Sequence, residues 1–165
     1  MSVNRYKDHV YVIPEDDADR QIVNGFRNHD AIDPRAIDVR GPAGGWSKVR
    51  NAFLEEYVPL LGRSSHAHVV MVIDFDEKDD ARRRLFDEAI PPGLRSRAFL
   101  IGSASNPERL RSDLGMTFET IGRRVADDCS RDEPRPLWLH DLLIHIRAEF
   151  ERLKQAVRPF LFRGG

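Results

Sequence analysis

Residues 69–77, VVMVIDFDE, carry the strongest strand signal in the chain. Five consecutive apolar residues open this stretch, which is typical of a strand buried on both faces at the centre of a parallel sheet. The apolar run stops at Asp74-Phe75-Asp76. Since side chains alternate along an extended segment, Asp74 and Asp76 are expected on one side and Phe75 on the other. The stretch therefore predicts a central parallel strand that ends in two carboxylates.

The N-terminal part repeats this pattern of a strand followed by acidic residues. HVYVI, residues 9–13, is short, β-branched and aromatic, which favours a buried strand, and a proline ends it. Glu15 follows that proline, and Asp16 or Asp17 can cap the helix that the next residues predict. A second short strand is expected near Ala36 to Val39.

Helices and strands continue to alternate on both sides of the central strand. A helix from about Trp46 to Leu61 precedes it, and a charged helix from Asp79 to Ala89 follows it. A further strand is expected at Ala98 to Ile101, and then a short helix that Asn106-Pro107 opens and Gly115 closes. This alternation predicts the α/β class, an open and mostly parallel sheet of about four strands with helices on both faces.

The last third of the chain predicts only helices. Two are expected, at about Thr117 to Asp128 and at about Leu137 to Phe160. Apolar residues of the second helix recur every three or four positions and form one stripe, which is best interpreted as docking on the chain's own sheet. Dimerisation or a partner protein is the alternative use of the stripe. The expected organisation is an α/β domain over residues 1–115 with a helical extension, residues 116–165, packed on it.

Length and composition limit the number of domains, the class of partner and the cellular location that can be expected. A length of 165 residues suits one domain. The 26 basic and 27 acidic residues nearly cancel, so overall charge marks neither nucleic acid nor a membrane as the partner. Cys129 is the only cysteine, and no apolar run approaches the roughly 20 residues that span a bilayer. A cytoplasmic protein without membrane insertion is expected.

The acidic residues after the strands predict a metal site. Ligands of open parallel sheets bind outside the carboxyl ends of the strands, where Glu15, Asp74 and Asp76 are expected. Carboxylates this close would repel one another strongly without a cation or a shared proton. Such oxygen ligands are typical of a Mg²⁺ site, with Mn²⁺ as the other candidate ion. These three residues are therefore the candidate metal ligands and catalytic residues.

The same residues resemble a topoisomerase-primase (TOPRIM) domain. In that family the first strand ends in Glu, with an Asp four residues later, and a later apolar strand ends in Asp-x-Asp. The matching stretches are VYVIPEDDAD, with Glu15 and Asp19, and VVMVIDFDE, with Asp74 and Asp76. The similarity covers about Asp8 to Gly115, and small stand-alone or nuclease-type members are similar in size.

The resemblance implies Mg²⁺- or Mn²⁺-dependent phosphoryl chemistry on nucleic acid, such as that of a nuclease. Asp74 and Asp76 would be metal ligands, and Glu15 a ligand or general acid/base. Asp19 would help to hold the first turn or a second ion. DNA, RNA and a nucleotide stay open as substrates.

Candidate phosphate contacts lie in the glycine-rich stretch GPAGGWSKV, residues 41–49, and at the start of the charged helix. Backbone amides of Gly44 and Gly45, at the entry to a helix, suit a phosphate. Lys48 and Lys78 are basic residues in nearby loops or first turns. In a nuclease they would assist a metal that activates water and neutralises charge on the scissile phosphate.

A catalytically silent member of the same family is the alternative. It would be an interaction subunit of a separate ATPase or nuclease system, or a homodimer, with the C-terminal helix as the docking surface. Metal binding distinguishes the two, because only the enzyme needs an intact set of carboxylates. A receiver domain of a response regulator also places acids after its first and third strands, but it needs a further strand ending in Lys, and none is predicted after Gly115.

Overall fold

A computed structural model describes residues 2–132 and 136–163. Its centre is one sheet of four parallel strands in the order β2-β1-β3-β4. The strands are β1 (His9–Pro14), β2 (Ile37–Val39), β3 (Ala67–Val72) and β4 (Ala98–Ile101). The predicted α/β class with an open parallel sheet is confirmed.

Helices connect and follow the strands, and none in the described ranges is long and apolar enough to cross a bilayer. The α-helices are α1 (Asp17–Arg27), α2 (Trp46–Ala52), α3 (Val58–Arg63), α4 (Asp79–Ala89), α5 (Pro107–Leu114), α6 (Phe118–Ser130) and α7 (Arg147–Leu161). A π-helical turn (Phe53–Tyr57) joins α2 to α3, and the 3-10 turns are Pro92–Arg97, Leu137–Leu139 and Ile144–Ile146. Asp16 and Asn106 cap their helices as predicted, each accepting from the amide three residues later.

Both faces of the sheet are covered, because side chains alternate along each strand. On the first face, Met71 of β3 lies in one apolar cluster with Phe53 of the π turn and Phe86 of α4. On the second face, Val70 of β3 lies in a cluster with Val157 of α7. Helix α1 also packs on this second face, and α6 packs on α1. The extension after residue 115 therefore covers the sheet of the same chain.

The predicted helix from Trp46 to Leu61 forms, with a π turn in its middle. Pro59 lies just after this turn and has no backbone N–H to donate. Its ring would also clash with the carbonyl four residues earlier in a regular α-helix, and the wider π turn relieves that clash. Phe53, Tyr57 and Leu61 still share one buried face.

The predicted helix from Leu137 to Phe160 is wrong in its first ten residues, since α7 begins only at Arg147. Tertiary hydrogen bonds take up the backbone there instead. The Leu137 amide donates to the Asp128 carboxylate at 2.5 Å, and the Leu142 carbonyl accepts from the Ala104 amide at 2.8 Å. Such competition from side chains and distant backbone prevents a regular helix.

Candidate metal centre

Four carboxylates meet at the carboxyl edge of the sheet, between β1 and β3. Glu15, Asp16, Asp19 and Asp74 each offer an oxygen, and these oxygens all lie within 4.8 Å of one another. We call this group the acidic cluster. β2 lies on one side of β1 and β3 on the other, so the connections leave in opposite directions and open a crevice at this edge. The cluster therefore occupies the position where open α/β sheets bind ligands.

Local hydrogen bonds position the four side chains. The Glu15 amide donates to the Val72 carbonyl at 2.9 Å, which extends the pairing of β1 with β3 by one residue. The Asp74 amide in turn donates to Glu15 Oε1 at 3.4 Å. Asp16 Oδ1 accepts from the Asp19 amide at 2.9 Å, so the cap of α1 also orients the first turn. Asp19 thus comes from a helix start, and Glu15 and Asp74 from strand ends.

Three of the four side chains of the cluster are buried, and Asp16 is partly exposed. Relative exposure is 9% for Glu15, 2% for Asp19 and 6% for Asp74. Within the described residues, no group donates a hydrogen bond to the buried oxygens Asp19 Oδ2 and Asp74 Oδ1, although the two carboxyl groups lie close enough to share a proton. A buried carboxylate oxygen without a donor is costly, and buried charges are normally paired or bound to a metal. The two oxygens therefore point to a missing proton or cation.

Burial also raises the pKa of three carboxyl groups. Burial raises the pKa of Asp74 to about 8, assisted by the negative charges of Glu15 and Asp16. Burial and then the charge of Asp74 place the pKa of Asp19 well above its usual range. The pKa of Glu15 is raised as well, again mainly by burial. Without a cation the cluster holds protons near neutral pH, and a divalent cation would compete for the same oxygens.

Asp76 is not among the four clustered residues. β3 ends at Val72, and Asp76 and Glu77 have positive φ angles of 52° and 62°. Their amides donate to the carbonyls of Ser105 and Ala104 respectively, so the chain turns and the alternation of an extended strand ends before Asp76. Asp76 Oδ2 instead lies 3.4 Å from Arg82 Nη2, on a half-exposed side chain. Its role as a metal ligand stays a prediction, and coordination would require it to leave Arg82.

The glycine-rich loop borders the cluster. The Gly44 amide donates to the Glu15 carbonyl at 2.8 Å, so a phosphate would have to displace this contact, and the predicted phosphate contact at Gly44 stays a prediction. Gly45, Lys48 and Lys78 stay predictions, and both lysine side chains are exposed. The loop thus holds Glu15 in place rather than offering all of its amides to a ligand.

Sequence reasoning missed Asp16 as a member of the cluster. It explained Asp16 as a helix cap, and the structure gives it that role as well. The available signal was its position directly after Glu15, at the carboxyl end of a strand.

No family model, curated protein or solved structure matches the chain. The functional interpretation of the acidic cluster therefore rests on its geometry.

Proposed function

We propose that this chain is a Mg²⁺- or Mn²⁺-dependent phosphoryl-transfer enzyme acting on nucleic acid, in its simplest form a nuclease. The observation that carries the proposal is the acidic cluster, in which the buried oxygens Asp19 Oδ2 and Asp74 Oδ1 receive no hydrogen bond from the described N–H groups. Oxygen-only ligands favour hard divalent cations, which enzymes commonly combine with phosphate substrates. The resemblance of the two acidic motifs to a TOPRIM domain supports the same chemistry.

Each residue has a role in this proposal. Asp19 and Asp74 would hold the cation, because their buried oxygens are deepest. A bound cation supplies charge neutralisation and an activated water. Glu15 has a raised pKa and lies at the same crevice, so it can accept a proton from the attacking water or return one to the leaving oxygen.

Basic residues at the rim would attract the polyanion. The Arg82 guanidinium lies 4.2 Å from the centre of the Trp46 ring, beside the glycine-rich loop, and next to Asp76. Exposed Lys48 and Lys78 come from that loop and from the residue before α4. Positive side chains around a negative cluster hold a phosphate close to the metal without competing for it.

A catalytically silent interaction subunit is the second candidate. The pairing of Asp76 with Arg82 favours it, because one of the two carboxylates of the Asp-x-Asp motif then lies outside the cluster. Such a protein would serve a separate ATPase or nuclease, or pair with a second copy. Since the apolar side of α7 packs on the chain's own sheet, a partner would use other surfaces of that helix.

Titration calorimetry with Mn²⁺, combined with cleavage assays on the same samples, tests the proposal. The native chain is compared with Asp74→Asn, which keeps the shape of the side chain but removes its charge. Asp17→Asn is the matched control, because Asp17 lies in the same acidic stretch, is exposed, and accepts a hydrogen bond from the Gln21 side chain. DNA and RNA, each single- and double-stranded, serve as substrates.

Loss of Mn²⁺ binding and cleavage in Asp74→Asn, with both kept in Asp17→Asn, would establish the metal-dependent enzyme. Mn²⁺ binding without cleavage of any substrate would favour the interaction subunit. A folded native chain that binds no Mn²⁺ would refute the metal site.

A further inference from the structure

A second feature lies beneath the acidic cluster, in the layer between the sheet and its helices. A cavity of about 110 Å³ separates the second face from α1, α6 and α7. Aliphatic and phenylalanine side chains form nearly all of its wall. Among the lining residues in the described part of the chain, Asp19 alone has a titratable side chain.

The cavity follows from the lengths of the side chains and from the spacing of the layers. Four valines form its floor on the sheet, Val10 and Val12 of β1 with Val70 and Val72 of β3. Valine is well suited to strands but short. The opposite wall is held away from them by the packing of the helices on one another, so the valines cannot fill the gap.

Water is a poor occupant of this space. A buried water needs two to four polar partners, and the wall offers the side chain of Asp19 and little else. Apolar cavities of roughly 150 Å³ in other proteins stay dry and take up benzene or xenon. The cavity here is smaller but of the same order.

We propose that this cavity is a binding site for a small apolar molecule, about the size of benzene or smaller. Aliphatic and phenylalanine side chains form nearly all of the wall around such a ligand, so binding would come from dispersion contacts and from removing apolar surface from water.

Asp19 belongs both to the wall of the cavity and to the acidic cluster. If the proposed function holds, a ligand in the cavity would therefore act on a metal ligand directly, and by linkage each would change the affinity of the other. The binding site itself does not depend on that function and is tested in metal-free protein.

The test measures thermal unfolding in EDTA with and without benzene. At a free concentration ten times its dissociation constant, benzene should raise the midpoint by about 3 to 6 °C. Val70→Ile adds one methylene on the floor of the cavity and should raise the midpoint by itself while halving the benzene shift or more. Val69→Ile is the matched control, because Val69 is the neighbouring residue on the same strand and lies fully buried in the cluster of the first face.

Val69→Ile should lower the unfolding midpoint, since the side chains on the first face of the sheet leave no room for an added methylene. It should leave the benzene shift unchanged. No benzene shift in the native chain would overturn the proposal, and so would equal shifts in the native chain and in Val70→Ile. A benzene shift in a chain that binds no Mn²⁺ would keep the cavity site and reject the metal function.

Discussion

At the scale of single residues, the charge state of Asp74 links folding to pH. Its pKa is about 8 in the folded protein against an ordinary value of 3.8. Between these values the folded chain keeps a proton that the unfolded chain has released. The stability from this proton is therefore fully present below the ordinary pKa and is lost as the pH rises through the folded pKa.

We accordingly expect the free energy of unfolding in EDTA to fall from about pH 5 to about pH 8, as measured by urea unfolding across a pH series. Asp74→Asn should reduce this slope without abolishing it, because an amide does not titrate but the raised pKa values of Asp19 and Glu15 still contribute. Saturating Mn²⁺ should also flatten or reverse it, since the cation binds the carboxylate forms. A native chain whose stability in EDTA is constant over this range would contradict the raised pKa.

The positions of Asp74 and Asp76 predict that substituting each of them will change the affinity for Mn²⁺ by different amounts. Asp74 belongs to the acidic cluster, whereas Asp76 is paired with Arg82 on a turn of positive φ. Asp74→Asn should weaken Mn²⁺ binding by about 100-fold or more, and Asp76→Asn by less than about threefold, as measured by calorimetry. Equal losses would mean that Asp76 leaves Arg82 and joins the cluster when metal binds.

Two of the four residues of the cluster could be predicted from the pattern of strands for a simple reason. Glu15 and Asp74 follow strand ends, and parallel strands bring those ends to one edge. Asp19 came only from the family resemblance, and Asp16 was explained by its cap. The orientation of Asp76 depends on the positive φ angles of Asp76 and Glu77. Non-glycine residues rarely adopt such angles, and the sequence pattern does not predict them here.

At the scale of elements, α1 and α6 pack unusually closely. A Cβ at Gly122 of α6 would overlap the Ile22 carbonyl of α1, and a Cβ at Gly25 would overlap the Glu119 carbonyl. Asp16 and Asp19 lie at the start of α1. The close contact between α1 and α6 therefore helps to fix the position of these two residues relative to Glu15 and Asp74 at the edge of the sheet.

Gly122→Ala should therefore destabilise the fold by about 2 kcal/mol or more and weaken Mn²⁺ binding at the same time. Gly62→Ala is the matched control, because Gly62 lies in α3 and a Cβ there meets nothing within 4 Å. That change should stabilise the fold by about 0.5 to 1 kcal/mol. Urea unfolding measures both, and a Gly122→Ala chain as stable as the native one would show that α1 and α6 can separate freely.

Strand β4 forms one edge of the sheet, and α7 covers it through two charged side chains. The Leu100 amide donates to Glu149 Oε2 at 2.9 Å. Arg152 donates to the carbonyls of Arg95 and Ala98 at 2.6 and 2.7 Å and to the other Glu149 oxygen at 2.7 Å. Backbone groups that could pair with another chain are thereby occupied.

Arg152→Met should lose about 2 to 3 kcal/mol of unfolding free energy, because it removes the donor of the Arg95 and Ala98 carbonyls and of Glu149 Oε1. Arg147→Met, an exposed position at the start of the same helix, should change stability by less than about 0.5 kcal/mol. Urea unfolding of both variants checks the difference. Equal effects would show that α7 is held by its apolar side alone.

Elements with local signals were predicted well, and elements shaped by tertiary contacts were not. The caps at Asp16 and Asn106 and the αL glycine at Gly115 are local, and the structure has each of them. The segment before α7 keeps helical spacing of apolar residues, yet the Asp128 carboxylate and the Ala104 amide bind its backbone. Both partners lie outside the segment, Asp128 nine residues before Leu137 and Ala104 much earlier in the chain, so periodicity could not reveal them.

At the scale of the whole molecule, the C-terminal helices form part of the core. Residues 1–115 contain all four strands, the acidic cluster and every motif of the TOPRIM resemblance. However, α6 and α7 come after that boundary, and they cover much of the second face and the outer side of α1. Removing them would expose the valines of β1 and β3 to water, at a cost of about 25 cal/mol per Å² of apolar surface.

A chain ending at Gly115 should therefore fail to fold cooperatively, although it retains all the proposed metal ligands. Circular dichroism during urea unfolding, beside the full chain as the control, measures this directly. The expected result is a broad transition without a defined midpoint and no measurable Mn²⁺ binding, because isolated carboxylates on an unfolded chain are not held together. A truncated chain that unfolds in one sharp step and binds Mn²⁺ would instead make residues 1–115 an autonomous domain, and the covering helices would then be a separable attachment.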